Sequence, residues 1–250
     1  FWGHKVVTGV PLDRVFESMD FRSLYRLSWG AKNTHGEAYD KLIADEFEPR
    51  RAQLQEQAKR EGWLDAKFVY GYYPAQSQGN AILVYDPSDR KTVIGRLEAP
   101  RQPEGEHLCL ADYVASVESG VMDVIGLQVV TMGPGSSEKN EELNKQGLYS
   151  EAYFLHGLSV EAAEGLAEVC HQHIRQELGI GETGGKRYSW GYPAIPNTAD
   201  HQQIFAALPA EAAIAVSLTE GHQLVPEQST AAMIAHHPRA KYFAVRGAEG

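Results

Sequence analysis

Between Arg187 and Pro196 the chain reads Arg-Tyr-Ser-Trp-Gly-Tyr-Pro-Ala-Ile-Pro, with one cation, three aromatic rings, one glycine and two prolines in ten residues. Proline fixes φ and removes a donor, and Gly191 permits a close backbone approach, so the segment reads as a rigid, extended loop. An arginine on such a loop suits an anionic group, because its planar fork matches a carboxylate or a phosphate. A plain connector between two elements accounts for the same composition. Glu164 and Glu168 stand four residues apart in a helical pattern and therefore share a face, either as a solvated edge or as acids near a cationic ligand. Gly133-Pro134-Gly135-Ser136-Ser137 follows a strand pattern and precedes a helix, but it lacks the lysine of a phosphate loop and reads as a turn. His171 and His173 point to different faces of a helix, His236 and His237 are adjacent, and neither pair has zinc-ligand spacing. No Gly-x-Ser-x-Gly elbow occurs. The sequence thus offers groups that hold a ligand and no acid–base or metal constellation that would transform one.

The elements that must position these groups follow from hydrophobic periodicity. The strongest helix runs from about Ser150 to Leu178, with Leu155, Leu158, Ala162, Leu166, Val169, Cys170 and Ile174 along one broad face and Gly179 and Gly181 as its stop. Residues 37 to 61 give one or two amphipathic helices, with Pro49 as a kink or restart and Gly62 as the end. Strand patterns cover Phe68 to Tyr73, Ala81 to Tyr85 and Thr92 to Leu97, which makes a meander, and Val121 to Met132 is apolar enough to be a central strand. A short helix occupies 138 to 145 and another Asp200 to Leu208. Ile214 to Leu218, Gln223 to Val225, Ala231 to Ala235 and Tyr242 to Val245 read as short strands. Strands mostly follow strands and helices come in separate blocks, which predicts an α+β fold with an antiparallel sheet. Residues 1 to 35, rich in aromatic side chains, read as an arm packed on the body of one domain spanning 1 to 250.

Composition narrows the partners. With 23 Lys and Arg against 33 Asp and Glu, the net charge of −10 argues against nucleic acid and anionic membrane surfaces. No apolar run has membrane-spanning length. Cys109 and Cys170, without metal-ligand spacing, read as buried free thiols of a reducing, cytoplasmic setting.

The Arg187–Pro196 segment resembles the Arg-Pro-Ala-Pro-Gly-Tyr-Pro-Ala-Cys-Pro signature of the S-adenosylmethionine-binding activation domain of cobalamin-dependent methionine synthase. Further segments are similar in order along nearly the whole chain. They are Tyr70-Gly71-Tyr72-Tyr73-Pro74-Ala75, Cys109 to Val114, Ser119-Gly120, Asp123-Val124-Ile125-Gly126, Leu218-Thr219-Glu220, His237-Pro238 and Lys241 to Val245. The resemblance implies a C-shaped domain with a twisted antiparallel sheet and surrounding helices. It implies that this module binds S-adenosylmethionine and positions its methyl group for the reductive methylation of cob(II)alamin, with no catalytic general base of its own. Cobalamin is expected from a neighbouring domain of the same polypeptide, and electrons from a donor of flavodoxin or reductase type. By position, Arg187 corresponds to the arginine that grips the methionyl carboxylate, Asp20 to an acid near the amino group, and Glu168 to a helix glutamate near the ligand. Gly191, Tyr192, Pro193 and Ala194 supply the loop contacts, and Tyr242 and Phe243 meet the ligand from the C-terminal strand. Asp20 as a helix cap and Tyr242 as plain core are the structural alternatives. Glu164 falls where the family has an acid that meets the cobalamin domain, which suggests a docking residue or else a solvated glutamate. A free-standing S-adenosylmethionine-binding regulatory module is the alternative function. The sequence departs from the signature at Ser189-Trp190, which replaces Ala-Pro, at Ile195 in place of cysteine, and at Asn197 to His201, where the family has an acid followed by His-Thr.

Overall fold

A computed structural model describes residues 1–245. Nine strands are present among these residues: β1 (Gly3–Val7), β2 (Lys67–Gln78), β3 (Ala81–Tyr85), β4 (Val93–Glu98), β5 (Asp123–Thr131), β6 (Lys186–Ser189), β7 (Ser217–Leu218), β8 (Leu224–Val225) and β9 (Ser229–Ala235). The α-helices are α1 (Leu12–Glu17), α2 (Phe21–Ser23), α3 (Gly36–Leu42), α4 (Glu48–Glu61), α5 (Gly135–Lys145), α6 (Tyr149–Leu178), α7 (His201–Ala207) and α8 (Ala210–Ile214). The main sheet is antiparallel in the order β4-β3-β2-β5-β9-β6, with β1 added beside β2, while β7 and β8 pair separately. This is the α+β architecture that the strand and helix blocks predict.

Side-chain alternation along the strands fills both faces of the sheet. On one face Phe68, Tyr70 and Tyr72 of β2, Val130 of β5 and Ile234 of β9 join Leu155, Leu158, Leu166 and Ile174 of α6 in one core. On the other, Val69 and Tyr73 of β2, Leu127 and Val129 of β5 and Met233 of β9 pack with Trp190, Ile204 and Leu208. Leu155, Leu158, Leu166 and Ile174 are essentially inaccessible, and truncating any one of them to alanine costs about 2–5 kcal/mol. Gly157 and Gly165 allow α6 to touch the N-terminal region closely. A Cβ at Gly157 would stand 2.7 Å from the Trp29 ring, and one at Gly165 would stand 2.7 Å from the Val15 carbonyl. Residues 1–35 are therefore woven in, since β1 pairs with β2 and Val15, Leu24, Tyr25 and Trp29 are buried.

Several sequence expectations are corrected. Strand β2 continues past Tyr73 through Pro74 to Gln78. Proline is tolerated because residue 74 pairs with Val124 on one side only, between the end of β1 at Tyr72 and the start of β3 pairing at Ala75, so no ladder donor is missed. The strand expected over Ile214 to Leu218 is only Ser217–Leu218, and Ile214 ends helix α8, because Pro209-Ala210-Glu211-Ala212-Ala213 places a proline at the N-cap of strong helix formers. Arg187 to Ser189 form an edge strand, and the loop begins only at Trp190. Tyr242 to Val245 form no strand and lie as a non-ladder segment. Pro49 sits in the first turn of α4, directly after a π-turn at Ile43–Phe47, which accommodates its missing donor. Both cysteines are buried and free.

Candidate functional site

The register of β6 against β9 sets the site. Arg187 stands opposite Ile234, on the face covered by α6, and Tyr188 stands opposite Met233 on the other face. Because β6 is the last strand of the sheet, Arg187 reaches the sheet edge beneath α6. There its Nη1 donates to Glu164 Oε2 at 3.1 Å and approaches Ser189 Oγ at 3.4 Å, with only 15% of the side chain exposed. After Ser189 the chain turns tightly at Gly191, whose φ of +85° lies in the region that glycine populates freely. The Gly191 N–H donates to the Ile195 carbonyl at 2.8 Å and the Ile195 N–H to the Tyr192 carbonyl at 2.9 Å, so the turn projects Tyr192 and Pro193 outward. The Tyr192 hydroxyl donates to Glu164 Oε1 at 2.9 Å. Residues 241–245 close the opposite side, for the Val245 N–H donates to the Pro193 carbonyl at 2.8 Å and the Tyr188 hydroxyl to the Lys241 carbonyl at 2.9 Å.

These pieces enclose a cavity of about 490 Å³, lined by Glu164 of α6, residues 187–189 of β6, residues 192–194 of the turn and residues 242–244. Its walls are largely aromatic, with a cation and an acid at one end. Arg187 Nε is buried and has no hydrogen-bond partner among the described residues, and the residue itself lines the cavity. Burial, and then the Glu164 carboxylate, push the Tyr192 phenol up to about 12, and burial next to Tyr113 and Tyr242 raises Tyr188 as well. Both remain hydrogen-bond donors at neutral pH. Among the described residues the lining contains no histidine or cysteine, and its arginine and aromatic rings suit a ligand that carries an anionic group and a planar ring.

The structure brings Arg187, Tyr192, Pro193, Ala194, Tyr242 and Phe243 together in this lining and seats Gly191 behind it as the hinge of the turn. Glu164, expected as a docking acid, has both carboxylate oxygens engaged inside the pocket, by Arg187 and Tyr192. Asp20 caps α2. It accepts from the Arg22 and Ser23 amides at 2.9 and 3.3 Å and from Ser23 Oγ at 2.7 Å, and the Ser23 hydroxyl holds its pKa down. It stands outside the lining, and its charge acts on Glu161 of α6, whose carboxyl burial already pushes up. Glu168 borders a second cleft of about 740 Å³ together with Gln172, Arg175 and Glu182. Its carboxylate pairs with Arg175 Nη1 at 3.0 Å and lies 3.7 Å from His171 Nδ1. Burial raises its pKa, but His171, Arg175 and Arg187 outweigh that and the net shift is downward. Sequence reasoning missed Tyr188, Ser189 and Ala244 as lining residues, although the first two lie inside the quoted motif. It also missed Arg175, whose position seven residues after Glu168 on one helix placed it within reach.

An antiparallel α+β domain with an arginine at the sheet edge and an aromatic-walled pocket is the class that fold and site define. Residues 11–249 match the family described as vitamin B12 dependent methionine synthase, activation domain, and the chain belongs to that family. It is 36% identical over 273 aligned positions to methionine synthase of Mycobacterium tuberculosis (strain ATCC 25618 / H37Rv) and 33% identical to that of Mycobacterium leprae (strain TN). Each alignment covers 98% of this chain and 23% of the relative, so the chain spans about a quarter of their length. A crystal structure of the MetH reactivation domain bound to AdoHcy superposes with a TM-score of 0.85 at 24% identity, covering 98% of this chain and 81% of that one, a likeness of fold.

Proposed function

We propose that the pocket binds S-adenosylmethionine and presents its methyl group to cobalamin carried by a neighbouring domain of the same polypeptide, serving the reductive methylation that reactivates cobalamin-dependent methionine synthase. The observation that carries this reading is Arg187, a mostly buried guanidinium that lines an aromatic-walled cavity beside the Glu164 carboxylate. The cavity falls within the few hundred Å³ typical of small-molecule sites. The fold neighbour with AdoHcy, the demethylated form of the same ligand, supports it further. In this reading Arg187 takes the methionyl carboxylate, the rings of Tyr192, Tyr242 and Phe243 take the planar base, and Glu164 faces the cationic part. Aromatic faces and a carboxylate both favour a sulfonium. Asp20 and Glu168 contribute through charge from outside the lining. The ligand supplies an electrophilic methyl group, and an electron donor of flavodoxin or reductase type supplies the reducing equivalent. This domain supplies alignment, and in-line transfer between bound partners gains its rate from orientation.

Calorimetric titration of S-adenosylmethionine into the domain tests the reading. The expected result is saturable binding that Arg187→Ala weakens roughly 10- to 150-fold, the value of a charge-assisted hydrogen bond. Absence of binding by the native domain defeats the proposal, and equal binding by both proteins removes Arg187 from the site.

A further inference from the structure

Residues 242–244 form one wall of the pocket without belonging to the sheet, and the loop that follows β4 holds that stretch of chain. Gln102 of this loop donates from Nε2 to the Ala244 carbonyl at 2.8 Å, and its Oε1 accepts from the Leu108 N–H at 3.1 Å. The Gln102 N–H in turn donates to the Leu108 carbonyl at 2.9 Å, so one residue both closes the neck of the loop and reaches the wall. At the tip, Lys241 Nζ donates to both Glu106 carboxylate oxygens at 2.7 Å. The root is fixed as well. Arg101 forks onto Asp112 with two contacts of 2.7 Å, and it donates to the His107 carbonyl at 2.7 Å and to Asn80 Oδ1 at 3.0 Å. A planar bidentate pair of this kind sets geometry as well as charge. Asp112 lies in the 3₁₀ turn Leu110–Tyr113, whose Leu110, Ala111 and Tyr113 are buried. The Tyr113 ring stacks on Tyr188 of the pocket lining, with centroids 6.3 Å apart.

The loop itself stands outside the lining, so any effect on a ligand passes through residues 241–245. Its two contacts fall at Lys241 and Ala244 and bracket Tyr242 and Phe243, the ring-bearing residues of the wall. Tyr242 is 65% exposed, so packing alone does not fix its ring, and its place follows from the backbone on either side. The wall is therefore held by two sets of bonds. One comes from the pocket's own elements, through Tyr188–Lys241 and Val245–Pro193, and the other from the loop. We propose that Gln102 and Glu106 are positioning residues of the ligand pocket, the 99–109 loop acting as a strap that sets where Tyr242 and Phe243 stand relative to Arg187. This rests on the reading of the pocket as an S-adenosylmethionine site, whereas the strap can be observed without ligand. An exposed ion pair contributes little on average, so the Gln102 bridge carries the larger share.

Gln102→Ala removes the bridge and is expected to weaken S-adenosylmethionine binding about 3- to 10-fold by calorimetry, the value of one hydrogen bond. Glu106→Lys sets two cations against each other and should cost about 2- to 5-fold, and adding Lys241→Glu should restore the affinity. Glu104→Lys makes the same charge change at an exposed residue of the same loop and should leave binding as it is. In ¹⁵N-labelled protein without ligand, the Val245 amide, which donates to the Pro193 carbonyl, should exchange about 3- to 10-fold faster in Gln102→Ala, with β5 amides at wild-type rates. Wild-type affinity in both Gln102→Ala and Glu106→Lys overturns the positioning role. Equal losses in Glu104→Lys and Glu106→Lys, or no recovery on charge exchange, overturn the part given to the ion pair. Faster exchange throughout the sheet makes Gln102 a residue of general stability and overturns the strap. A native domain that fails to bind while Val245 exchange still follows Gln102 overturns the ligand reading and supports the strap.

Discussion

Glu164 and Glu168 lie one turn apart on the same helix, and each is paired with a different arginine. Glu164 meets Arg187, which comes from an edge strand and lines a cavity. Glu168 meets Arg175 from its own helix, and the Arg175 Nε also donates to the Gly184 carbonyl at 2.9 Å. The second pair secures the turn between α6 and β6, while the first leaves hydrogen-bonding capacity for a guest. The difference lies in what surrounds the pairs and not in the acids themselves, since helical spacing makes the two positions equivalent.

Exchanging the roles of the arginines gives the sharpest test. Arg187→Ala should lose most ligand affinity at a stability cost of about 1 kcal/mol, because Glu164 remains partly solvated. Arg175→Ala should reverse this pattern. Chemical denaturation should show a loss of about 2–3 kcal/mol, from an orphaned carbonyl and a half-buried carboxylate, with affinity within about threefold of wild type. Similar profiles for the two variants would erase the distinction. Glu168→Gln probes the second pair through pH. The folded pKa of Glu168 lies below its ordinary value, so its contribution is present above the ordinary carboxylate pKa of about 4.3 and is lost as pH falls through the folded value. Urea midpoints of wild type and variant should therefore differ at neutral pH and converge on acidification. The smallest effect is expected for Tyr192→Phe, which removes one half-exposed hydrogen bond to Glu164. Calorimetry should show a change of about 0.5 kcal/mol or less, without the pH dependence of Glu168→Gln.

Much of the scaffold was legible in local pattern. The periodicity from Ser150 to Leu178 sets α6 within one residue of Tyr149–Leu178, and the apolar run from Val121 contains the central strand β5. What failed locally was decided by partners. Pro74 looked like the end of a strand because sequence does not show that β1 stops and β3 starts on either side of it. Tyr242–Val245 has a strand's composition and no ladder, and the Val245 N–H goes to a loop carbonyl instead of a sheet edge. Within the site, the Arg187–Pro196 motif was visible as chemistry. That Glu164 faces Arg187, and Glu168 faces Arg175, depends on the β6–β9 register and on where α6 crosses the edge strand. The departures at Trp190 and His201 looked unrelated in one dimension, although their rings meet edge-on with centroids 6.0 Å apart.

Residues 241–245 have a consequence of their own. Outside any ladder, they are joined to the body by the Tyr188–Lys241, Val245–Pro193 and Gln102–Ala244 hydrogen bonds and the Lys241–Glu106 ion pair, and Tyr242, Phe243 and Ala244 form one wall of the pocket. A guest seated there would touch segments that begin at Glu164, Arg187 and Tyr242, so it would bridge distant parts of the chain much as a crosslink does. Its binding free energy would go first to the stretch least able to hold itself in place, and local opening of that stretch would become the gate for ligand exchange.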